Sequence, residues 1–124
     1  MKIIKSNLVK GSEFDVKFTG GNSLRLLTSK DKMGFGICET HVPKGGPHHW
    51  HYKNHLEACY CISGNGILTN LDNGEIFSIN PGTTYALDLH DNHTFEALND
   101  VVLISIFNPP LTGKESHDAE GNYN

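Results

Sequence analysis

Eight of the 124 residues are histidine, and four of these, His48, His49, His51 and His55, fall within one stretch of eight positions. Glu57 follows closely. On a β-strand, residues two apart project to the same side, so His49 and His51 are expected to face one way together, as are Glu57, Cys59 and Cys61. Two imidazoles and a carboxylate turned into a cavity make a facial set that holds Fe(II) and leaves coordination positions open. Glu57 carries the stronger signal. It interrupts the apolar run Leu56 to Ile62, and a carboxylate in such a strand requires a partner, a cation or the solvent face. We read it as a metal ligand. His48 and Trp50, near Lys44, Lys53 and several glycines, read as decoration of an exposed loop. The three cysteines, Cys38, Cys59 and Cys61, form no CxxC and cannot all pair, so reduced thiols are expected rather than a disulfide framework or a zinc ribbon.

These side chains need a scaffold, and the rest of the sequence specifies strands. Short β-favouring runs occur at Ile3 to Ile4, Phe14 to Phe18, Leu24 to Thr28, Phe35 to Val42 and Leu56 to Ile62. Others follow at Ile67 to Leu71, Ile76 to Ile79, Thr84 to Leu87, Thr94 to Leu98 and Val101 to Phe107. Turn residues separate them: Gly20-Gly21-Asn22, Pro43-Lys44-Gly45-Gly46-Pro47, Ser63-Gly64-Asn65-Gly66, Asp72-Asn73-Gly74, Asn80-Pro81-Gly82 and Asn99-Asp100. Asn73-Gly74 is the sharpest, and reads as a two-residue type I′ hairpin because that turn needs positive φ at both central positions. No window of helical length keeps a 3.6-residue apolar period. The expected fold is all-β, a single domain over residues 1–124 built as a sandwich or barrel, in jelly-roll form with a mouth at one end. Pro109-Pro110 stops the last strand, and the polar residues 111 to 123 are expected to fold back as a lid over that mouth.

Composition narrows the function. Nine lysines and the single Arg25 stand against 14 acidic residues, a formal net charge of -4 spread thinly along the chain, which disfavours nucleic acid as a partner. No apolar run has signal-peptide or membrane-span length, so a soluble cytoplasmic protein is expected.

Two stretches resemble the paired motifs of the cupin superfamily. Gly46, His49-Trp50-His51, Glu57 and Gly64 follow the first, with one or two extra residues between His51 and Glu57. Gly74, Asn80-Pro81-Gly82 and Tyr85 follow the second, with Tyr85 standing where a histidine is usual. A narrower resemblance is carried by HYKNHLEACYCISGNG, NPGTTYALDLHDNH and above all the ending FNPPLTGKESHDAEGNY. These look like the ectoine synthase family, and SLRLLTSKDKMGFGICET extends the likeness from about residue 23 to the C-terminus. Members are iron-dependent cupins that dehydrate N-γ-acetyl-diaminobutyrate to the cyclic amidine ectoine, a compatible solute.

That resemblance implies a metal held by Glu57, Tyr85 and His93, and takes His49 and His51 out of the ligand set. Carboxylate, phenolate and imidazole together suit iron. It implies Arg25 as the carboxylate binder, since its planar fork fits a carboxylate in two-point contact. Thr40, Cys38, Ser105 and Phe107 are implied as further pocket residues. Tyr52 or His55 is the expected proton donor to the departing oxygen, and Glu115 and His117 the expected proton acceptors from the amine. The sequence departs from the family at pocket positions: Gly21 stands where a Trp is usual, Cys38 where an Asn is usual and Ser105 where a Cys is usual. Loss of the aromatic at Gly21 is expected to loosen the site. Two other readings stay open: an iron cupin dioxygenase using His49, His51 and Glu57, and a non-catalytic cupin that binds a small solute. A homodimer is expected, with a strand at Ile3 and Ile4 free to exchange.

Overall fold

The computed structural model describes residues 1–123. A one-turn helix, α1 (Ser6–Val9), precedes the strands β1 (Asp15–Phe18), β2 (Gly21–Leu27), β3 (Gly36–Val42), β4 (Gly45–Trp50) and β5 (Leu56–Ser63). The remainder are β6 (Gly66–Asn70), β7 (Ile76–Ile79), β8 (Thr84–Leu87), β9 (His93–Ala97) and β10 (Val101–Asn108). One sheet runs β1-β2-β3-β10-β5-β8 and the other β4-β9-β6-β7, all pairs antiparallel. This is the expected jelly-roll.

The period-two pattern of the sequence becomes an inside-outside alternation. Along β3, Gly36, Cys38, Thr40 and Val42 are buried and the residues between them are not. Val101, Leu103, Ser105 and Phe107 do the same on β10, and His93, Phe95 and Ala97 on β9. Phe95, Phe107, Leu103, Ile79 and Val42, each at most 1% exposed, fill the interior together with Trp50. Each such side chain contributes about 1.5–3 kcal/mol by leaving water.

Three sequence expectations are corrected. Ile3 and Ile4 form no strand: both are exposed, and they lead into α1, so no strand is available there for exchange. Gly45 to Pro47 is not a turn but the start of β4, which pairs with β9 through a bulge between Gly45 and His48. β4 lies at a sheet edge, where a proline's missing N–H leaves no ladder bond unmade. Asn73-Gly74 is not a two-residue hairpin. Residues 71–75 connect β6 to β7, only Gly74 has positive φ, at 79°, and its N–H donates to the Asn70 carbonyl at 2.8 Å. The Asn70 and Asn73 side chains accept from the amides of Asp72 and Glu75, so side-chain turns take the place of the tight hairpin.

Residues 111 to 123 cover one end of the barrel. Leu111 is 1% and Tyr123 7% exposed. The Leu111 carbonyl accepts from Ser29, the Gly121 carbonyl from His51, and His117 pairs with Tyr123 as a β-bridge. The lid expectation holds. Among the described residues no helix is long and apolar enough to cross a membrane.

Candidate active site

Strand register lines up the interior side chains. Arg25 on β2 pairs with Cys38 on β3, Cys38 with Ser105 on β10, Ser105 with Cys59 on β5, and Cys59 with Tyr85 on β8. Directly opposed residues of antiparallel strands share a face, so this row crosses five strands on the inner side of the sheet. Ser23, Thr40 and Leu103 make the row on one side, while Phe107, Glu57 and Leu87 make the row on the other.

At one end of the rows lies an acidic, desolvated group. Glu57 is 7% exposed and no cation pairs with it among the described residues. Burial pushes its carboxyl up to about 8, against hydrogen bonds from the Cys59 thiol and the Ser105 hydroxyl that favour the ionised form. Tyr85 packs against the core with its hydroxyl beside that same thiol, and burial holds the phenol well above its ordinary value. His93 reaches in from the opposite sheet, 1% exposed. Its Nδ1 is 2.9 Å from the Asp91 carbonyl and therefore carries the proton, which leaves Nε2 a buried lone pair with no hydrogen-bond partner. Desolvation lowers this imidazole to about 4. Tyr85 and His93 line one cavity of about 400 Å³ with Leu68, Phe77 and Asp91. A buried carboxylate without a counter-cation, a half-buried phenol beside it and an imidazole with an unused lone pair are donors suited to a hard-to-borderline divalent metal. The residues present fit Fe(II).

At the other end the tail supplies the ceiling. The Arg25 side chain is wholly buried; Nε donates to Ser23 Oγ at 2.9 Å and Nη2 to the Glu115 carbonyl at 2.8 Å, while Nη1 has no hydrogen-bond partner. Its guanidinium lies 5.6 Å from the Tyr123 ring centre. Tyr123 stacks on Tyr52 at 4.6 Å, and the Tyr52 hydroxyl is 3.1 Å from His117 Nε2. Tyr52 in turn sits 6.0 Å from the His93 ring and 5.9 Å from Phe107, and burial, with the charges of Tyr123 and Glu57, keeps its phenol protonated. His117 is lowered to about 4 by desolvation and then by Arg25, so it is neutral near pH 7 with a second buried, unpartnered atom, Nδ1.

Most of the residues implied by the resemblance therefore meet in one interior. Thr40 and Ser105 join by a 2.9 Å hydroxyl pair, and Ser105 lies 3.5 Å from the Cys59 sulfur. His55 stands further out: half-buried, its Nδ1 donates to the Pro109 carbonyl at 2.9 Å and its ring edges onto Phe107 and Tyr123. Glu115 is near Arg25, 3.9 Å from Nη1, but its carboxylate accepts from the amides of Thr112, Gly113 and Lys114. Although its burial opposes ionisation, those amides hold it below the usual range.

The triad His49, His51 and Glu57 is not assembled. It is Trp50 that faces the core, 3% exposed, with its Nε1 donating to the Thr19 carbonyl, and His49 lies on the outer side against Asn92. Among the described residues no three His, Cys, Asp or Glu side chains are grouped to hold a metal. The expected loop role of His48 and Trp50 is likewise corrected: both lie on β4 on the face opposite His49, and His48, half-buried, stacks on the Trp50 ring. At Gly21 the β3 backbone comes close: a Cβ there would run into the His41 carbonyl oxygen. Sequence reasoning passed over Ser23, Tyr123 and Phe18. Ser23 was legible as the residue two before Arg25 on the same strand face; Tyr123 lay inside the quoted ending without a role.

The geometry has counterparts. A family profile described as Ectoine synthase matches residues 1–124. The chain is 45% identical over 124 residues to the L-ectoine synthase of Alkalilimnicola ehrlichii, covering 99% of this chain and 94% of that protein. It is 48% identical over 117 residues to the L-ectoine synthase of Desulfatibacillum aliphaticivorans, covering 93% and 90%. The crystal structure of ectoine synthase from P. lautus matches the fold with a TM-score of 0.87 at 39% identity, over 91% of this chain and 81% of that one.

Proposed function

The chain belongs to the ectoine synthase family, a lyase with the jelly-roll fold of the cupins, and from that premise we propose that it closes N-γ-acetyl-L-2,4-diaminobutyrate, or a closely related N-acyl diamino acid, to a cyclic amidine. One observation carries the reading to these residues. Among the described residues the buried side-chain nitrogens and oxygens without a hydrogen-bond partner are three: Arg25 Nη1, His93 Nε2 and His117 Nδ1. Buried polar atoms are seldom left so, and each matches one thing the reaction brings: a carboxylate, a metal and an amine.

Fe(II) held by Glu57, Tyr85 and His93 would supply Lewis acidity toward the acetamide oxygen. Arg25, fixed by Ser23 and the Glu115 carbonyl, turns its free Nη1 to the α-carboxylate and sets the distance from amine to acetamide. The α-amine forms its bond to the acetamide carbon, and both hydrogens the neutral amine loses end on the oxygen that leaves as water. Neutral His117 takes a proton at Nδ1 while its Nε2 side is joined to the Tyr52 hydroxyl, which gives its own proton to the departing oxygen. Glu115 braces the tail rather than taking protons, because its oxygens are committed to amides. Thr40 and Ser105 hold the polar floor, Cys38 and Phe107 the walls. His55, tied to Pro109, supports the face that Tyr123 and Phe107 share. The protein acts in the cytoplasm as a homodimer whose second copy covers the exposed apolar outer face of β5 and β10, where Leu56, Tyr60, Ile62 and Ile106 project.

The test is to follow iron-loaded protein with N-γ-acetyl-diaminobutyrate by proton NMR. Ring closure is expected with the native chain, and His93→Ala is expected to lose both bound iron, by elemental analysis, and turnover. A flat trace from folded, iron-loaded protein overturns the substrate; undiminished turnover after chelation overturns the metal.

A further inference from the structure

Phe18, the last residue of β1, has no role in the mechanism above, yet it touches one of its participants. Its ring meets the His117 imidazole edge-on, centroids 4.8 Å apart at 63°, and the Trp50 indole at 5.6 Å and 61°. Trp50 in turn stacks on the core residue Phe95 at 5.4 Å. A continuous aromatic column thus runs from the centre of the barrel to the imidazole carried by the tail.

The backbone on both sides of Phe18 is clamped. Lys17 gives its carbonyl to the Ser116 hydroxyl at 2.6 Å, which ties β1 to the residue before His117. Thr19 gives its carbonyl to Trp50 Nε1 at 2.7 Å, which ties the β1–β2 turn to the core. The same hairpin end cannot carry an aromatic from the other strand. Gly21 is the register partner of Phe18, and any side chain at 21 starts inside the space of the His41 carbonyl.

We propose that Phe18 is a positioning residue for ring closure: it fixes the plane of the His117 imidazole so that Nδ1 is presented to the substrate amine. An edge-to-face aromatic contact has a preferred geometry, which apolar filling alone lacks. Misplacing a reacting group by an ångström is enough to lower a rate by orders of magnitude. The inference rests on the role given to His117 above, and the test separates the two.

The variants are Phe18→Ala, Phe18→Tyr, and Phe18→Ala combined with Gly21→Trp, each checked for a cooperative thermal transition. With the acetylated diamine, Phe18→Ala is expected to lose roughly tenfold or more in kcat with KM changed much less. Phe18→Tyr, which keeps the ring, is expected to recover most of kcat, and the added Trp at 21 to recover none. In parallel, long-range proton–nitrogen NMR of the free protein reads the His117 ring nitrogens, whose shifts are expected to move in Phe18→Ala and return in Phe18→Tyr. Equal kcat for a folded Phe18→Ala, or equal loss in the Ala and Tyr variants, overturns the positioning role. If even the native chain shows no ring closure, the substrate reading fails, and unmoved His117 resonances in Phe18→Ala would then sink the positioning role independently.

Discussion

Acid should weaken this fold through one imidazole in particular. His117 is held at about 4 in the folded chain against an ordinary 6.5, first by desolvation under the tail and then by the Arg25 guanidinium. A base whose folded pKa is depressed costs nothing while both states are neutral, above about pH 7. As pH falls through 6.5 the unfolded chain takes up a proton that the folded chain refuses, and stability is lost until about pH 4, where the folded state also protonates. Each pK unit corresponds to about 1.4 kcal/mol, so the full window amounts to about 3 kcal/mol and the interval from pH 7 to pH 5 to about 2 kcal/mol. Because the ring is only partly enclosed, these figures are ceilings. Urea unfolding of metal-free protein, native and His117→Gln, at the two pH values isolates the term. Glutamine keeps a hydrogen bond toward Tyr52 and does not titrate. His93, depressed in the same sense, and Glu57, raised in the opposite sense, titrate in both proteins and cancel from the difference of differences. Native protein is expected to lose up to about 2 kcal/mol more than the variant between pH 7 and pH 5. Equal losses, with unchanged urea dependence, would refute the buried neutral imidazole on which the proton transfer depends.

Arg25→Lys keeps the charge but not the fork. One charge-assisted hydrogen bond, about 1.5–3 kcal/mol, is lost to the substrate carboxylate, so steady-state kinetics should show kcat/KM down by about 10- to 100-fold, carried mainly by KM; an unchanged KM would place the carboxylate elsewhere. Gly121→Ala tests the seat of the tail. Gly121 has φ 76° and a Cβ there meets the His49 carbonyl, beside the bond from His51 to the Gly121 carbonyl. Strain of about 1–3 kcal/mol should lower the melting temperature and speed tryptic cleavage after Lys114. A variant as resistant as the native chain would show that the tail is held elsewhere.

How far the sequence disclosed this arrangement depends on which physical signal each residue leaves. β3 and β10 were legible because one face is buried along their whole length, so apolar and polar residues alternate. β4 was not, since an edge strand opened by two glycines and a proline carries the composition of a turn, and its bulge breaks the period between Gly45 and His48. That break hid which of His49, Trp50 and His51 points inward. Glu57 was legible on its own terms, as a carboxylate within an apolar run. Tyr85 and His93 were not: a tyrosine in a short strand and a histidine at a strand start look like ordinary core and rim residues, and only the likeness of NPGTTYALDLHDNH to a known pattern singled them out. The row from Arg25 to Tyr85 is a product of register between strands far apart in the chain, which spacing along the chain does not encode.

The two halves of the site rest on elements of unequal strength. Glu57 and His93 stand on strands paired on both sides, and Tyr85 on the edge strand β8, held by its ladder to β5, so all three are carried by the barrel itself. His117, Tyr123 and the Glu115 carbonyl arrive on a segment held by single bonds rather than ladders, among them Leu111 to Ser29, Gly121 to His51, Ser116 to Lys17, Asn122 to Lys53, Arg25 to the Glu115 carbonyl and Tyr52 to His117. Local stability follows such contacts, and segments that admit ligands are drawn from the weakly held end. A substrate that must lose water from an amide needs bulk water kept out. In the reaction proposed above, an imidazole carried on the covering segment would be in place only with that segment seated, so the amine would meet its base only under a sealed mouth. The Arg25 guanidinium enforces the link. It bonds the Glu115 carbonyl through Nη2 and leaves Nη1 without a hydrogen-bond partner; if Nη1 takes the carboxylate as proposed, one planar group would register both substrate and lid, and replacing it should loosen both together.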